Sequence, residues 1–391
     1  MKGSSAVRSG EAATSLRYSL MDLAREREDL ITLGRGDPDL DTADEVIHWA
    51  IGRSASTTAW SEDDQRRGLR ALRQGIADRL ARERSVHVDP EREICITNGG
   101  QEALFLSMMA LVEPGDLIAC PDPRYTSYDQ AIGAAGGEIV SIPTGGSEPF
   151  ELSADALRTH AAGAKLLIFV NPSNPTGACV GPDGIRALAE VAEELDLLVL
   201  TDEIYEDIVF RPEPFLSFMA TDARDRTVLL SGFSKSYAMT GFRVGYLVGP
   251  PDFIDAVTAI KATTSGPCPL LSQLTALGAL EVEVDPRVES LAIYTGRRQL
   301  LVDAMNQMDI PLAPHGGGLF FWADVSRFGL GAEDFCYRLL EETGVLIFPG
   351  NSFGDRWKNW VRMSLLAPEE KIREALDRMT GFVNGLEAST S

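Results

Sequence analysis

Between residues 94 and 248, short apolar runs alternate with amphipathic stretches, and most runs end at a polar or glycine-containing turn. Ile94-Cys95-Ile96-Thr97 leads into Asn98-Gly99-Gly100 and then into a helical stretch from Gln101 to about Leu111. Residues 117–120 end at Pro121-Asp122-Pro123, 166–170 at Asn171-Pro172, and 197–201 at Asp202-Glu203. The run 227–230 precedes Ser234-Lys235, and 242–248 is a further run. Residues 184–195 place Ile185, Leu188, Ala189, Ala192 and Leu195 on one helical face. Strands this apolar throughout are covered by helices on both faces, and the alternation predicts an α/β fold on a mainly parallel sheet. In such sheets ligands bind beyond the carboxyl ends of the strands. The polar, aromatic and cationic groups that follow the runs therefore converge on one rim.

After about residue 284 the pattern changes. Residues 287–308 read as one long helix, 318–325 as a strand, 332–343 as a helix, and 344–348 and 360–364 as strands. This is a smaller α+β unit, which the first 45 or so residues can join. The expected division is therefore 1–45 with the small domain, 46–284 as the large domain and 285–391 as the C-terminal small domain.

Charge narrows the partners. The 391 residues carry a formal net charge of −22, a field that repels nucleic-acid phosphates and anionic lipid. An anionic substrate needs a local cationic pocket to overcome it. The five cysteines (Cys95, Cys120, Cys179, Cys268, Cys336) are widely spaced and form no C-x-x-C pair, and there are only four histidines, so no metal site is expected. Together with an N-terminus that lacks an apolar signal core and the absence of an apolar run long enough to span a bilayer, this points to a cytoplasmic protein.

Chemistry concentrates at Lys235. The chain has six lysines, and five of them (Lys2, Lys165, Lys261, Lys358, Lys371) stand at a terminus, at the edge of a run or on apparent surface. Lys235 instead follows an apolar run, within Ser231-Gly232-Phe233-Ser234-Lys235-Ser236-Tyr237-Ala238-Met239-Thr240-Gly241-Phe242-Arg243. A lone lysine is usually solvated. Desolvation here lowers the amine pKa and makes it a Schiff-base nucleophile. Asp202 alone reads as a helix N-cap. The Gly99-Gly100-Gln101 turn is neither a G-x-G-x-x-G nor a Walker loop, yet its free amides and the helix dipole suit a phosphate dianion.

Asn171-Pro172-Ser173-Asn174-Pro175-Thr176-Gly177, Asp202-Glu203-Ile204-Tyr205 and Ser234-Lys235 through Arg243, in that order, resemble class I/II aminotransferases. These are pyridoxal 5′-phosphate (PLP) enzymes of the aspartate aminotransferase fold, PLP fold type I, and the resemblance runs from about residue 33 to 367. It implies that Lys235 forms the internal aldimine and shuttles a proton. Asp202 pairs with the pyridine nitrogen and keeps the ring an electron sink. Tyr205 and Asn174 serve the 3′-oxygen, and Tyr125 stacks on the ring. Gly99, Gly100, Gln101, Ser234 and Arg243 hold the phosphate. Arg362 in Val361-Arg362-Met363-Ser364 and the backbone of Gly36 meet the substrate α-carboxylate, with Asn174 beside them. The implied reaction is ping-pong transfer of an amino group from an L-amino acid to a 2-oxo acid, in a homodimer with shared sites and no metal. A PLP-dependent C–S β-lyase is the alternative on the same scaffold, and a non-catalytic ligand-binding regulator the remote one.

The chain departs from the family pattern in three places. Trp60 stands where a tyrosine often reaches the neighbouring subunit's phosphate, Gln65 where a glycine is common, and Gly232 where a serine is frequent. Substrate class stays open between acidic, aromatic and aliphatic donors. Arg35, Arg124 and Arg297 are candidate recognisers of a side-chain carboxylate, and Trp60, Phe320 and Phe321 are candidate pocket aromatics.

Overall fold

In the computed structural model the described residues are 11–56, 66–145 and 150–390. The chain enters through α1 (Glu11–Arg25), a two-residue strand β1 (Ile31–Thr32), α2 (Asp44–Ser54) and α3 (Arg70–Arg84). Strand and helix then alternate: β2 (Ile94–Thr97), α4 (Gly100–Leu111), β3 (Leu117–Asp122), α5 (Thr126–Ala135), β4 (Glu138–Pro143), α6 (Ala154–His160), β5 (Leu166–Val170), α7 (Pro182–Glu194) and β6 (Leu198–Asp202). Next come β7 (Thr227–Gly232), β8 (Gly245–Val248), α8 (Pro251–Thr264), α9 (Leu270–Glu281) and the long α10 (Pro286–Gln307). The chain closes with β9 (Phe320–Asp324), α11 (Ala332–Thr343), β10 (Val345–Leu346), β11 (Phe348–Pro349), β12 (Trp360–Ser364) and α12 (Glu369–Thr390).

Strands β2 to β8 form one seven-stranded sheet in the order β2-β8-β7-β6-β5-β3-β4. All its pairings are parallel except those of β8, which runs antiparallel to both β7 and β2. Side chains alternate across a strand, so each strand feeds two cores. Ile94, Ile96, Leu229 and Val248 pack with Leu72, Ile76 and Leu80 of α3 and Ala276 and Leu277 of α9. Ala119, Leu167, Phe169 and Val199 pack under α6 and α7. On the opposite face Cys95, Ile168, Leu200, Leu230 and Leu247 meet Ala103 and Leu106 of α4 and Ile254 and Val257 of α8. The near-continuous apolar runs reflect this double coverage.

The C-terminal elements build a three-stranded antiparallel sheet, β11-β12-β9, and β10 pairs in parallel with β1. Local signals set the ends of the helices here. Asp285 accepts from the Arg287 amide at 3.0 Å with Pro286 at the first helical position of α10. Gly344, at φ +72°, closes α11 in the left-handed conformation.

Three sequence expectations shift. The run 242–248 becomes strand only from Gly245, because 240–242 form a 3₁₀ turn and Arg243 sits at φ +56°. The expected strand 344–348 is two strands, β10 and β11, which belong to different sheets. Lys261 does not follow a helix but lies inside α8, fully buried, with its ammonium 2.7 Å from Glu102 Oε2.

Candidate active site

The carboxyl ends of the parallel strands and the C-terminal unit enclose a cavity of about 320 Å³. Asp202 is the last residue of β6, Lys235 follows β7, and Gln101 opens α4 after β2. Tyr125 lies past β3 and Asn174 past β5. Arg362 comes from the opposite side, on β12, and Gly36 from the loop after β1. The lining also includes Gly100, Tyr205, Ser234, Arg243 and Phe320. Gly99 lies just behind it. Its φ is +81°, and a Cβ there would meet the Arg243 guanidinium, so only glycine lets that side chain cross the turn.

Lys235 Nζ donates to the Gly36 carbonyl at 2.6 Å and lies 3.5 Å from Asp37 Oδ1. Burial lowers its pKa, and the charges of Arg243 and Arg362 push the same way against Asp37. Asp202 Oδ2 accepts from the Tyr128 hydroxyl at 2.8 Å and Oδ1 from the Ile204 amide at 3.2 Å. Burial nonetheless holds its carboxyl up to about 6. The Tyr205 hydroxyl is also raised, chiefly by burial, and bonds to the Asn174 side chain.

Arg362 is buried. It donates to Gly34 O at 2.7 Å and Asn174 Oδ1 at 3.1 Å, while its Nε has no hydrogen-bond partner. Its guanidinium carbon sits 4.2 Å from the Phe320 ring centre and 4.6 Å from that of Phe353. Burial and then the neighbouring Arg17 charge lower its pKa to about 9. Arg243 donates to Thr240 O at 3.0 Å, and Gln101 Nε2 reaches the Tyr125 hydroxyl at 2.5 Å. Among the described residues no cluster of His, Cys, Asp and Glu could hold a metal ion.

The three arginines singled out for a side-chain carboxylate lie elsewhere. Arg297 is fixed by Asp39 at 2.6 and 2.8 Å and by Leu365 O. Arg124 is held by Asp129 and Ser141, and Arg35 is exposed outside the lining. Phe321 is buried against His315, ring centres 4.0 Å apart. Trp60 and Gln65 lie outside the described residues. At Gly232 a Cβ would come within 2.9 Å of the Gly245 backbone across the β7–β8 pair, so no serine fits there without movement. Sequence reading missed Tyr128, three residues along the helix from Tyr125, and Arg17, Asp37 and Thr240, all of which line the cavity.

The family model for aminotransferases of class I and II matches residues 28–379. The chain is 31% identical over 365 residues to an aspartate aminotransferase of Pyrococcus abyssi, covering 92% of this chain and 93% of that one. It is 32% identical over 374 residues to an arginine–pyruvate transaminase of Pseudomonas aeruginosa, covering 95% and 94%. The solved structure of Thermus thermophilus aspartate aminotransferase with maleate superposes with a TM-score of 0.89 at 30% identity, over 97% of this chain and 100% of that one. A seven-stranded mainly parallel sheet with this rim, matched over nearly the whole length, makes the chain a member of the class I and II aminotransferases, PLP-dependent enzymes that transfer amino groups between amino acids and 2-oxo acids.

Proposed function

We propose that Lys235 is the residue that binds the cofactor and moves the substrate proton, with Asp202, Tyr205 and Arg362 as its working partners. The observation that carries this reading is the Lys235 ammonium itself. It is desolvated, its pKa is lowered, and it shares one cavity with a buried carboxylate and a buried, incompletely bonded arginine.

The donor set fits PLP. At one end Arg243, Ser234, Gln101 and the first-turn amides of α4, which have no acceptor inside the helix, suit a phosphate. Gly99 leaves the space that Arg243 needs there. At the far end Asp202 is a single carboxylate, as a ring nitrogen that carries a proton requires. When bound, the cofactor supplies an electron sink for the pair left at the amino-acid Cα.

The protein supplies the rest. Asp202 holds a proton at the ring nitrogen, and Tyr128 orients Asp202. Tyr205 and Asn174 donate to the 3′-oxygen; Asn174 directs its Oδ1 at Arg362, which leaves its amide nitrogen for this task. Tyr125, which lines the cavity, would pack on the ring face. Lys235 Nζ would take the proton from the substrate Cα and hold it within the cavity, and would return it in the second half-reaction. Arg362 and the Gly36 backbone would orient the α-carboxylate, and closure of the two domains over it would exclude water.

The division into 46–284 and a small domain of 1–45 with 285–391 is supported by the β1–β10 pairing. A homodimer is supported by large apolar side chains exposed on α2, α4 and α9, namely Ile51, Phe105, Met109 and Leu271. A cytoplasmic location is supported by five buried thiols in no disulfide. Light scattering and cell fractionation test the last two.

The decisive experiment mixes holoenzyme with a panel of L-amino acids and then with 2-oxo acids. Donors bleach the long-wavelength cofactor absorption and acceptors restore it. Lys235→Ala lowers turnover by at least about 10³-fold, within the range of a lost general acid–base group. Accumulation of ammonia and pyruvate without such cycling would instead mean elimination chemistry, and full activity of Lys235→Ala would remove the assignment.

A further inference from the structure

The roles above, on which this inference rests, leave one cation unassigned among the described residues of the cavity. Its wall carries Arg17, Lys235, Arg243 and Arg362 against the two carboxylates Asp37 and Asp202. Lys235 and Arg243 are taken by the cofactor, and Arg362 by the substrate α-carboxylate. Arg17, on α1, has no such assignment.

Its surroundings are unusual for an arginine. One nitrogen donates to Thr126 Oγ1 at 3.2 Å, and Nε is buried with no hydrogen-bond partner among the described residues. Among the described residues no carboxylate forms a salt bridge with it, in contrast to Arg297 with Asp39 and Arg124 with Asp129. Arg17 also stands against the same aromatic wall as Arg362. Its guanidinium carbon is 5.0 Å from the Phe348 ring centre and 5.8 Å from that of Phe353, where Arg362 lies at 5.6 and 4.6 Å. Burial lowers the pKa of Arg17, and the smaller opposing effects of the Tyr125 and Tyr18 hydroxyls do not make up for it.

Two guanidiniums gathered on one apolar wall repel each other and have lost much of their hydration. Each lacks a hydrogen-bond partner at Nε, and one carboxylate can neutralise only one of them. We infer that Arg17 receives a second, side-chain carboxylate, and that the preferred substrates are a short α-amino dicarboxylic acid and its 2-oxo counterpart. The molecule as a whole is strongly anionic, so such a dianion is held only where cations are concentrated in this way. Arg17 thus sets specificity at the site, and its planar fork suits a carboxylate better than an ammonium would.

The test compares holoenzyme with Arg17→Gln, which keeps a donor for Thr126, and with Arg17→Lys, which keeps the charge. The readouts are kcat/KM for L-aspartate, L-glutamate, L-alanine and L-norvaline, and calorimetric binding of the unreactive succinate and butyrate. Native enzyme favours the dicarboxylic donors, and succinate binds more tightly than butyrate. Arg17→Gln lowers the aspartate-to-alanine ratio of kcat/KM tenfold or more, mainly through KM, and removes the advantage of succinate. Arg17→Lys restores part of both. An equal loss on all four donors, or a native enzyme that prefers the monocarboxylic donors, overturns the inference while leaving the aminotransferase roles intact. A native enzyme whose cofactor absorption responds to no donor overturns those roles, and this inference falls with them.

Discussion

Replacing Glu203 by Gln will flatten the pH dependence of folding stability. Glu203 is buried beside Asp202, and its Oε1 accepts from Thr201 Oγ1, Ser217 Oγ and the Phe218 amide at 3.1, 3.1 and 2.9 Å. Its Oε2 has no partner. Burial, then repulsion from Glu206, pushes the carboxyl from 4.5 up to about 8. Between those two values the folded protein keeps a proton that the unfolded chain has lost. This stabilising contribution is therefore complete below pH 4.5 and drains away as pH rises. The slope for one group is about 1.4 kcal/mol per pH unit, which amounts to a loss on the order of 3 kcal/mol at pH 7. Gln keeps the acceptor oxygen and places an uncharged amide at Oε2, so it suffers no such loss. Urea unfolding of both proteins at pH 5, 6, 7 and 8 gives the comparison, with the midpoints read at equal slope. The curves should nearly meet at pH 5 and separate in favour of the variant above it. Parallel profiles across the whole range would refute the buried, protonated carboxyl.

Lys261→Met leaves the partly buried Glu102 with its Asn98 bonds but without its cation and costs on the order of 3 kcal/mol by melting, the low end for a buried pair; adding Glu102→Gln recovers part of it. Gly99→Ala combines a strained φ of +81° with contact against Arg243, so the variant retains cofactor poorly on dialysis and loses about 1–3 kcal/mol. Arg297→Met breaks the bidentate pair with Asp39 and lowers the melting temperature, yet leaves the aspartate-to-alanine selectivity in place, unlike Arg17→Gln. Asp202 is raised to about 6, and it must be ionised to pair with a protonated ring. Cofactor affinity in titrations of the apoenzyme therefore climbs from pH 5 to 7, and Asp202→Asn abolishes the climb.

The central sheet is legible in the chain because its strands are buried on both faces, which leaves Leu166–Val170 without a polar residue and an apolar Val228-Leu229-Leu230 at the centre of Thr227–Gly232. The polar group after each run then had to lie at the rim, which is why Asp202, Asn174 and Lys235 could be gathered without a structure. Other features depend on contacts between distant segments. Nothing local marks Arg17, whose neighbours Phe348 and Phe353 lie at the other end of the chain. Lys261 resembles a surface residue until α8 packs against α4 and Glu102 meets it. Arg297 looked like a free cation because Asp39 is remote in sequence. No sequence signal marks the break at Ile347, because both halves are apolar and only their different partners, β1 and β12, separate them.

The pairing of Ile31 with Val345 spans about 300 residues of intervening chain. During synthesis the seven-stranded sheet has all its strands available long before β10 emerges, and domains tend to fold in that order. The loop that carries Gly36 against Lys235 therefore gains its anchor only after every strand of the large sheet has been made. A chain released before β10 can complete its large sheet, but it lacks the anchor for one wall of the cavity and also Arg362. The cavity is thus the last part of the molecule to be completed, well after the sheet that forms its floor.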